Sequence, residues 1–95
     1  MTGCYIIFSE KLQKLYIGVT QDDIESRIEK HNNNFYGNHR FTSRTDDWRL
    51  FLFIPTKNFA QAVRVEKKIK SMKSAKYIRN LSKYPELIEK LVGGT

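Results

Sequence analysis

Apolar side chains along this chain follow two rhythms. Gly3-Cys4-Tyr5-Ile6-Ile7-Phe8 and Leu15-Tyr16-Ile17-Gly18-Val19 are short runs rich in β-branched and aromatic residues, the pattern of strands. Ser9 to Lys14 between them is polar apart from Leu12, which predicts a β-hairpin. The first run is apolar on both faces, so its strand is expected inside a sheet covered on both sides. Ile24, Ile28 and His31, at i, i+4 and i+7, then predict a helix of about three turns. Thr20 is placed as its N-cap, with Asp23 at the reciprocal position of a capping box, and Asn32-Asn33-Asn34 ends it. A polar, turn-rich loop reaches Asp47 and interleaves Phe35, Tyr36 and Phe41 with His39, Arg40 and Arg44. Trp48 to Ile54 is a third strand, stopped by Pro55. From Phe59 the spacing turns helical, with Ala62, Val65, Ile69 and Met72 on one stripe. A shorter helix follows over Ser74–Ser82, and a last one begins at Pro85 and runs through Leu91. The order β-β-α-β-α-α predicts an α/β (α+β) domain with a small three-stranded, mostly antiparallel sheet flanked by helices.

Length adds one constraint. Ninety-five residues make a single domain over 1–95, because halves of that size would bury too little without staples. One cysteine, Cys4, rules out an internal disulfide, and with two histidines it falls short of a structural zinc set. Charge adds more. Seventeen Lys and Arg against ten Asp and Glu give +7, which points to a polyanionic partner, nucleic acid ahead of an anionic membrane surface. The apolar runs Tyr5–Phe8 and Leu50–Ile54 are far shorter than the ~20 residues of a membrane span. No basic-then-apolar leader is visible. The expectation is a soluble cytoplasmic domain without a membrane partner.

Chemistry concentrates at three places. Between Arg64 and Lys83 lie eight cations: Arg64, Lys67, Lys68, Lys70, Lys73, Lys76, Arg79 and Lys83, interrupted by one carboxylate, Glu66. Such a run is often only a solvated helix face. Glu66, however, falls ~40° from Ala62 and ~60° from Ile69 on a helical wheel, at the apolar edge. A carboxylate there needs a partner, either a structural Arg or a divalent cation completed by substrate phosphates. Arg27 and His31 flank the Ile24/Ile28 stripe. Arg27 either pairs with Asp23 or binds phosphate in a guanidinium fork; His31 either closes the stripe, shuttles a proton or binds phosphate. Tyr5 and Tyr16, eleven residues apart, are packing residues or functional phenols.

Gly3-Cys4-Tyr5 followed by Tyr16-Ile17-Gly18, with Arg27 and His31, a Thr42-Ser43-Arg44 loop and then Glu66, resembles the GIY-YIG endonuclease family, Cys4 standing for the middle Ile. The likeness covers roughly residues 3 to 83. It is nearest to small stand-alone members, which look like the N-terminal catalytic domain of the DNA-repair nuclease UvrC. The resemblance implies a Mg²⁺- or Mn²⁺-dependent phosphodiester hydrolase using a single divalent ion. Tyr5 would activate the attacking water, Tyr16 would support it or bond the scissile phosphate, and Arg27 would neutralise phosphate charge. Glu66 would hold the metal, and Gly18 would leave room on the site floor; His31 joins the catalytic set. Val19 stands where many members carry Lys or another polar residue, and Asn80 is nearest to the family's late asparagine. A phenol ionises near pH 10 in water, so an alkaline optimum is expected.

The leading reading is therefore a metal-dependent endonuclease with weak sequence preference, acting on DNA ahead of RNA, with branched, damaged and single-stranded forms left open as substrates. Arg40, Arg44, Lys67, Lys70, Lys73 and Lys76 are expected to form its backbone track. The alternative on the same scaffold is a nucleic-acid-binding module with little chemistry, which Val19 would permit. A third is an adaptor that meets a protein partner through Trp48 and the aromatic loop. Tyr5, Tyr16, Arg27 and Glu66 are expected on one concave surface.

Overall fold

The computed structural model describes residues 1–33, 37 and 41–95. Strands β1 (Gly3–Ser9), β2 (Lys14–Thr20) and β3 (Arg49–Pro55) form one antiparallel sheet in the order β2-β1-β3. The all-apolar first run thus occupies the central strand, as its two-faced hydrophobicity requires. Helices α1 (Ile24–Asn32), α2 (Phe59–Met72), α3 (Ala75–Lys83) and α4 (Pro85–Gly93) flank it, and a 3₁₀ turn spans Phe41–Arg44. The architecture is α+β: the predicted order β-β-α-β-α-α is followed by a further short helix, α4, at the Pro85 start that the pattern marks. No helix among the described residues is long and apolar enough to cross a membrane.

Strand alternation divides the interior in two. Cys4 and Ile6 point to one face, where Ile54, Val65, Ile69, Ile78, Leu81 and Leu91 join them. Tyr5 and Ile7 point to the other, against Trp48, with Tyr16, Ile24, Ile28, Phe41 and Phe53 around them. Helices α2, α3 and α4 close the first core, and α1 closes the second. Burial pushes the Cys4 thiol up to about 12, with Glu66 raising it further and Lys70 opposing. Cys4 therefore behaves as a packing residue.

Two boundaries differ from the sequence expectation. Asp23, not Thr20, caps α1: its carboxylate accepts from the Ser26 N–H at 3.1 Å. Thr20 pairs with Gly3 at the end of β2, and its hydroxyl accepts from the Asp22 N–H; the ladder claims the residue that the capping pattern offered. Met72 leaves the apolar stripe and is 43% exposed, because α2 stops at Lys73 in a left-handed conformation (φ 48°, ψ 41°). Ser74 then caps α3 by accepting from the Tyr77 N–H.

Between the 3₁₀ turn and β3 the chain is held by side chains. Asp47 accepts from the Ser9 hydroxyl, from the Thr45 hydroxyl at 2.6 Å and from the Lys11 N–H at 2.9 Å. These donors hold its carboxyl well below the usual carboxylate range. A carboxylate depressed in the folded state contributes stability above its unfolded pKa of about 4 and loses that contribution as pH falls. Chemical denaturation from about pH 5 down to about pH 2 is accordingly expected to show a stability decline that Asp47→Asn flattens. A parallel decline in parent and variant would contradict this.

Candidate active site

The hairpin register sets Tyr5 opposite Gly18 and Ile7 opposite Tyr16, so both tyrosines stand on the α1 face. Gly18 is required there. A Cβ added to it would lie 2.5 Å from both Cζ and Oη of Tyr5, inside any tolerable contact. The Tyr5 ring therefore lies across the bare backbone of the neighbouring strand, with its hydroxyl directed at α1.

On α1 the Tyr5 oxygen meets His31 Nε2 at 2.7 Å. Both residues are buried, 1% and 2% exposed. The other ring nitrogen, Nδ1, lies 2.8 Å from Thr42 Oγ1. In a neutral imidazole one nitrogen donates and the other accepts, so the two bonds are coupled through the ring. The Tyr16 ring stands edge-on to His31, with centroids 5.4 Å apart, and stacks on Phe41 at 6.3 Å with 11° between planes. Thr42 is itself anchored. Its carbonyl accepts from Trp48 Nε1 at 2.8 Å, while Asn32 accepts from the Trp48 N–H at 2.7 Å and donates to the Trp48 carbonyl at 3.0 Å. The amide, indole and hydroxyl thus tie the end of α1, the 3₁₀ turn and the start of β3 around one histidine.

Arg27 is half-buried, one turn before His31. It borders a groove of about 330 Å³ with Val19, Thr20, Gln21, Asp22 and Phe59, where the end of β2, α1 and the start of α2 meet. The Asp23 carboxylate caps the helix.

Glu66 is placed differently. Its helix is packed on the Cys4 face through Val65 and Ile69, so the sheet lies between that core and the Tyr5 ring. Tyr5, Tyr16 and His31 gather on the α1 face, while Val65 and Ile69 of α2 pack on the Cys4 face and Glu66 stands at the edge of that stripe. Glu66 retains 19% side-chain exposure and accepts a bond from the more exposed Lys70 ammonium at 3.3 Å. Among the described residues, no three His, Cys, Asp or Glu side chains gather into a metal cage.

The cations also divide. Lys70 and Lys73 line a groove of about 390 Å³ that includes Lys14 and Arg79, with Leu15, Ile17, Ile69 and Ile78 in its lining. Lys67 and Lys76 are exposed on α2 and α3. Arg44 stands on the α1 side, 5.2 Å above the Phe41 ring, so it does not continue the α2 row. Arg40 and His39 lie outside the described residues, as do Phe35 and Tyr36. Asn80 sits on α3, away from the tyrosine pair. Sequence reasoning places Arg79 in the cationic run but not in the backbone track, and misses Lys14 and the histidine contact of Thr42. Thr42 has no periodicity to mark it; the grooves join residues from separate elements.

A family model described as GIY-YIG catalytic domain matches residues 1–79. No curated protein and no solved structure matches the chain.

Gly18 supplies a direct test of the packing at this site. Gly18→Ala is expected to force the Tyr5 ring off His31 and to lower stability by ~1–3 kcal/mol, the usual cost of overpacking, read as a shift in the denaturation midpoint. An unchanged midpoint would show that the ring is not held against the strand.

Proposed function

The chain belongs to the GIY-YIG family, and from that premise we propose that it is a Mg²⁺- or Mn²⁺-dependent endonuclease hydrolysing DNA phosphodiester bonds with weak sequence preference. The observation that carries the proposal is the buried hydrogen bond between Tyr5 and His31. A phenol ionises near pH 10 in water and is a weak base at neutrality until a neighbour takes its proton. With the Tyr5 hydroxyl donating to Nε2, His31 keeps its own proton on Nδ1 for Thr42. The Tyr5 Oη–H bond can then break and an Nε2–H bond form, leaving the electron pair on the phenolate oxygen to draw a proton from the attacking water. Substrate has to approach beside Tyr16 and Arg27, the partly exposed members of the set. Arg27 would bind the non-bridging oxygens of the scissile phosphate, and Tyr16 would bond the same group.

Glu66 is the proposed ligand of the divalent ion. A lone carboxylate with some exposure and a dissociable lysine partner fits Mg²⁺, which keeps several waters and is commonly held by one or two carboxylates plus substrate phosphates. When bound, the ion supplies positive charge against the charge that builds on phosphate in the transition state. Arg27's groove includes Phe59 of α2, and Glu66 lies seven residues further along that helix, ~10 Å of axial rise. That spacing is within reach of one nucleic-acid backbone following the open edge of β2. Lys67, Lys70, Lys73, Lys76, Arg40 and Arg44 would contact flanking phosphates, with Lys14 and Arg79 added by the groove they share with Lys70.

The location of α2 across the sheet from Tyr5 favours a second reading, a nucleic-acid-binding module with little chemistry. Glu66→Ala separates them. The pair with Lys70 is a surface-type pair worth ~0–1 kcal/mol, so the variant is expected to melt close to the parent. DNA affinity should hold or rise slightly, and nicking of supercoiled plasmid should fall by on the order of 10²-fold. A variant that nicks at the parental rate would remove Glu66 from the metal site. Parental protein that shifts DNA but does not nick it in Mg²⁺, before or after EDTA, would establish the binding module instead.

A further inference from the structure

Phe59 is 42% exposed, an aromatic ring that the core does not use. It opens α2, and its place is specific: it borders the groove of Val19, Thr20, Gln21, Asp22 and Arg27. The ring lies outside the buried stripe of α2, which begins at Gln61 and Ala62. A guanidinium and an exposed ring sharing one groove of nucleotide size match the two ends of a nucleotide. Arg27 suits the phosphate, and a ring face suits a base. Asp22, the one carboxylate among the described residues that line the groove, disfavours a phosphate at its own position and can accept from an exocyclic base amine. A base held inside a duplex cannot offer its face to such a ring, whereas an unpaired base can.

We propose that Phe59 is a base-stacking residue, and that the groove takes an unpaired nucleotide next to the phosphate bound by Arg27. The inference rests on the nuclease reading and narrows its substrate to DNA with an unpaired base at the cut, such as a flap, a gap or a branch. Stacking is indifferent to base identity, so the preference is for structure and not for sequence.

The test compares two DNA probes, a fully paired duplex and the same duplex with a short single-stranded flap, by direct binding in EDTA. Phe59→Ala is expected to weaken flap binding by about 5- to 150-fold, the span of one base–aromatic stack, and to leave duplex binding within about twofold. Phe59→Trp should restore the flap preference, which a merely structural role for the ring would not require. Equal weakening on both probes, or none on either, would overturn the inference. Thermal melting guards against a folding defect: a Phe59→Ala variant that melts well below the parent would make the residue structural and also overturn it. Arg27→Ala, run alongside, keeps the two ideas apart. If it binds and cleaves like the parent, the phosphate site fails; if it loses both while Phe59→Ala behaves like the parent, only the stacking falls.

Discussion

Successive side chains of a strand point to opposite faces, and in this chain that rule acts on a strand buried on both sides. Cys4 and Tyr5 are neighbours in sequence and belong to different cores. The first face takes aliphatic packing rimmed by Phe51 and Tyr77, and a thiol held protonated by burial. The second takes a phenol, and a phenol inside a protein needs a hydrogen-bonding partner. His31 meets that need, which sets the rotation of α1, and Thr42 in turn meets the need of the imidazole. The placement of the helices, the bare Gly18 opposite Tyr5 and the polar cluster on the α1 face all follow from the exposure of β1 to two interiors.

The segment between the 3₁₀ turn and β3 is ordered by a different means. No ladder or helix runs through residues 45–48, so side chains supply the missing bonds. Asp47 ties it to the end of β1 and the hairpin turn, and Asn32 brackets the Trp48 backbone from α1. Each bond is worth about 1 kcal/mol net, but together they fix where Thr42 stands. A side chain that must place one oxygen against one ring nitrogen requires such support from residues beyond it.

Much of this was legible in the residues. Two β-rich runs around a polar turn could only be a hairpin, and an all-apolar first run could only be central. The tripeptides around Tyr5 and Tyr16 with Arg27 and Glu66 pointed to the family that the match over residues 1–79 shows. What was not legible depended on competition or on distance. Thr20 met the requirements of a cap until the β-ladder claimed it. Glu66 is legible at the edge of an apolar stripe, but the stripe does not say which face of the sheet it will cover. Thr42 and Phe59 acquire meaning only from elements far away in sequence, and no local pattern reports that.

In the proposed mechanism the Tyr5 hydroxyl passes its proton toward His31, its 2.7 Å neighbour, before the attacking water is activated. Tyr5→Phe removes one oxygen and leaves the ring that fills the core. Its measurement is the nicking rate of supercoiled plasmid in Mg²⁺, taken beside a melting curve and a DNA-binding isotherm. The expected variant is folded, binds DNA like the parent and nicks at least ~10²-fold more slowly, the lower range of a general-base contribution. Nicking at the parental rate by the folded variant would contradict that mechanism.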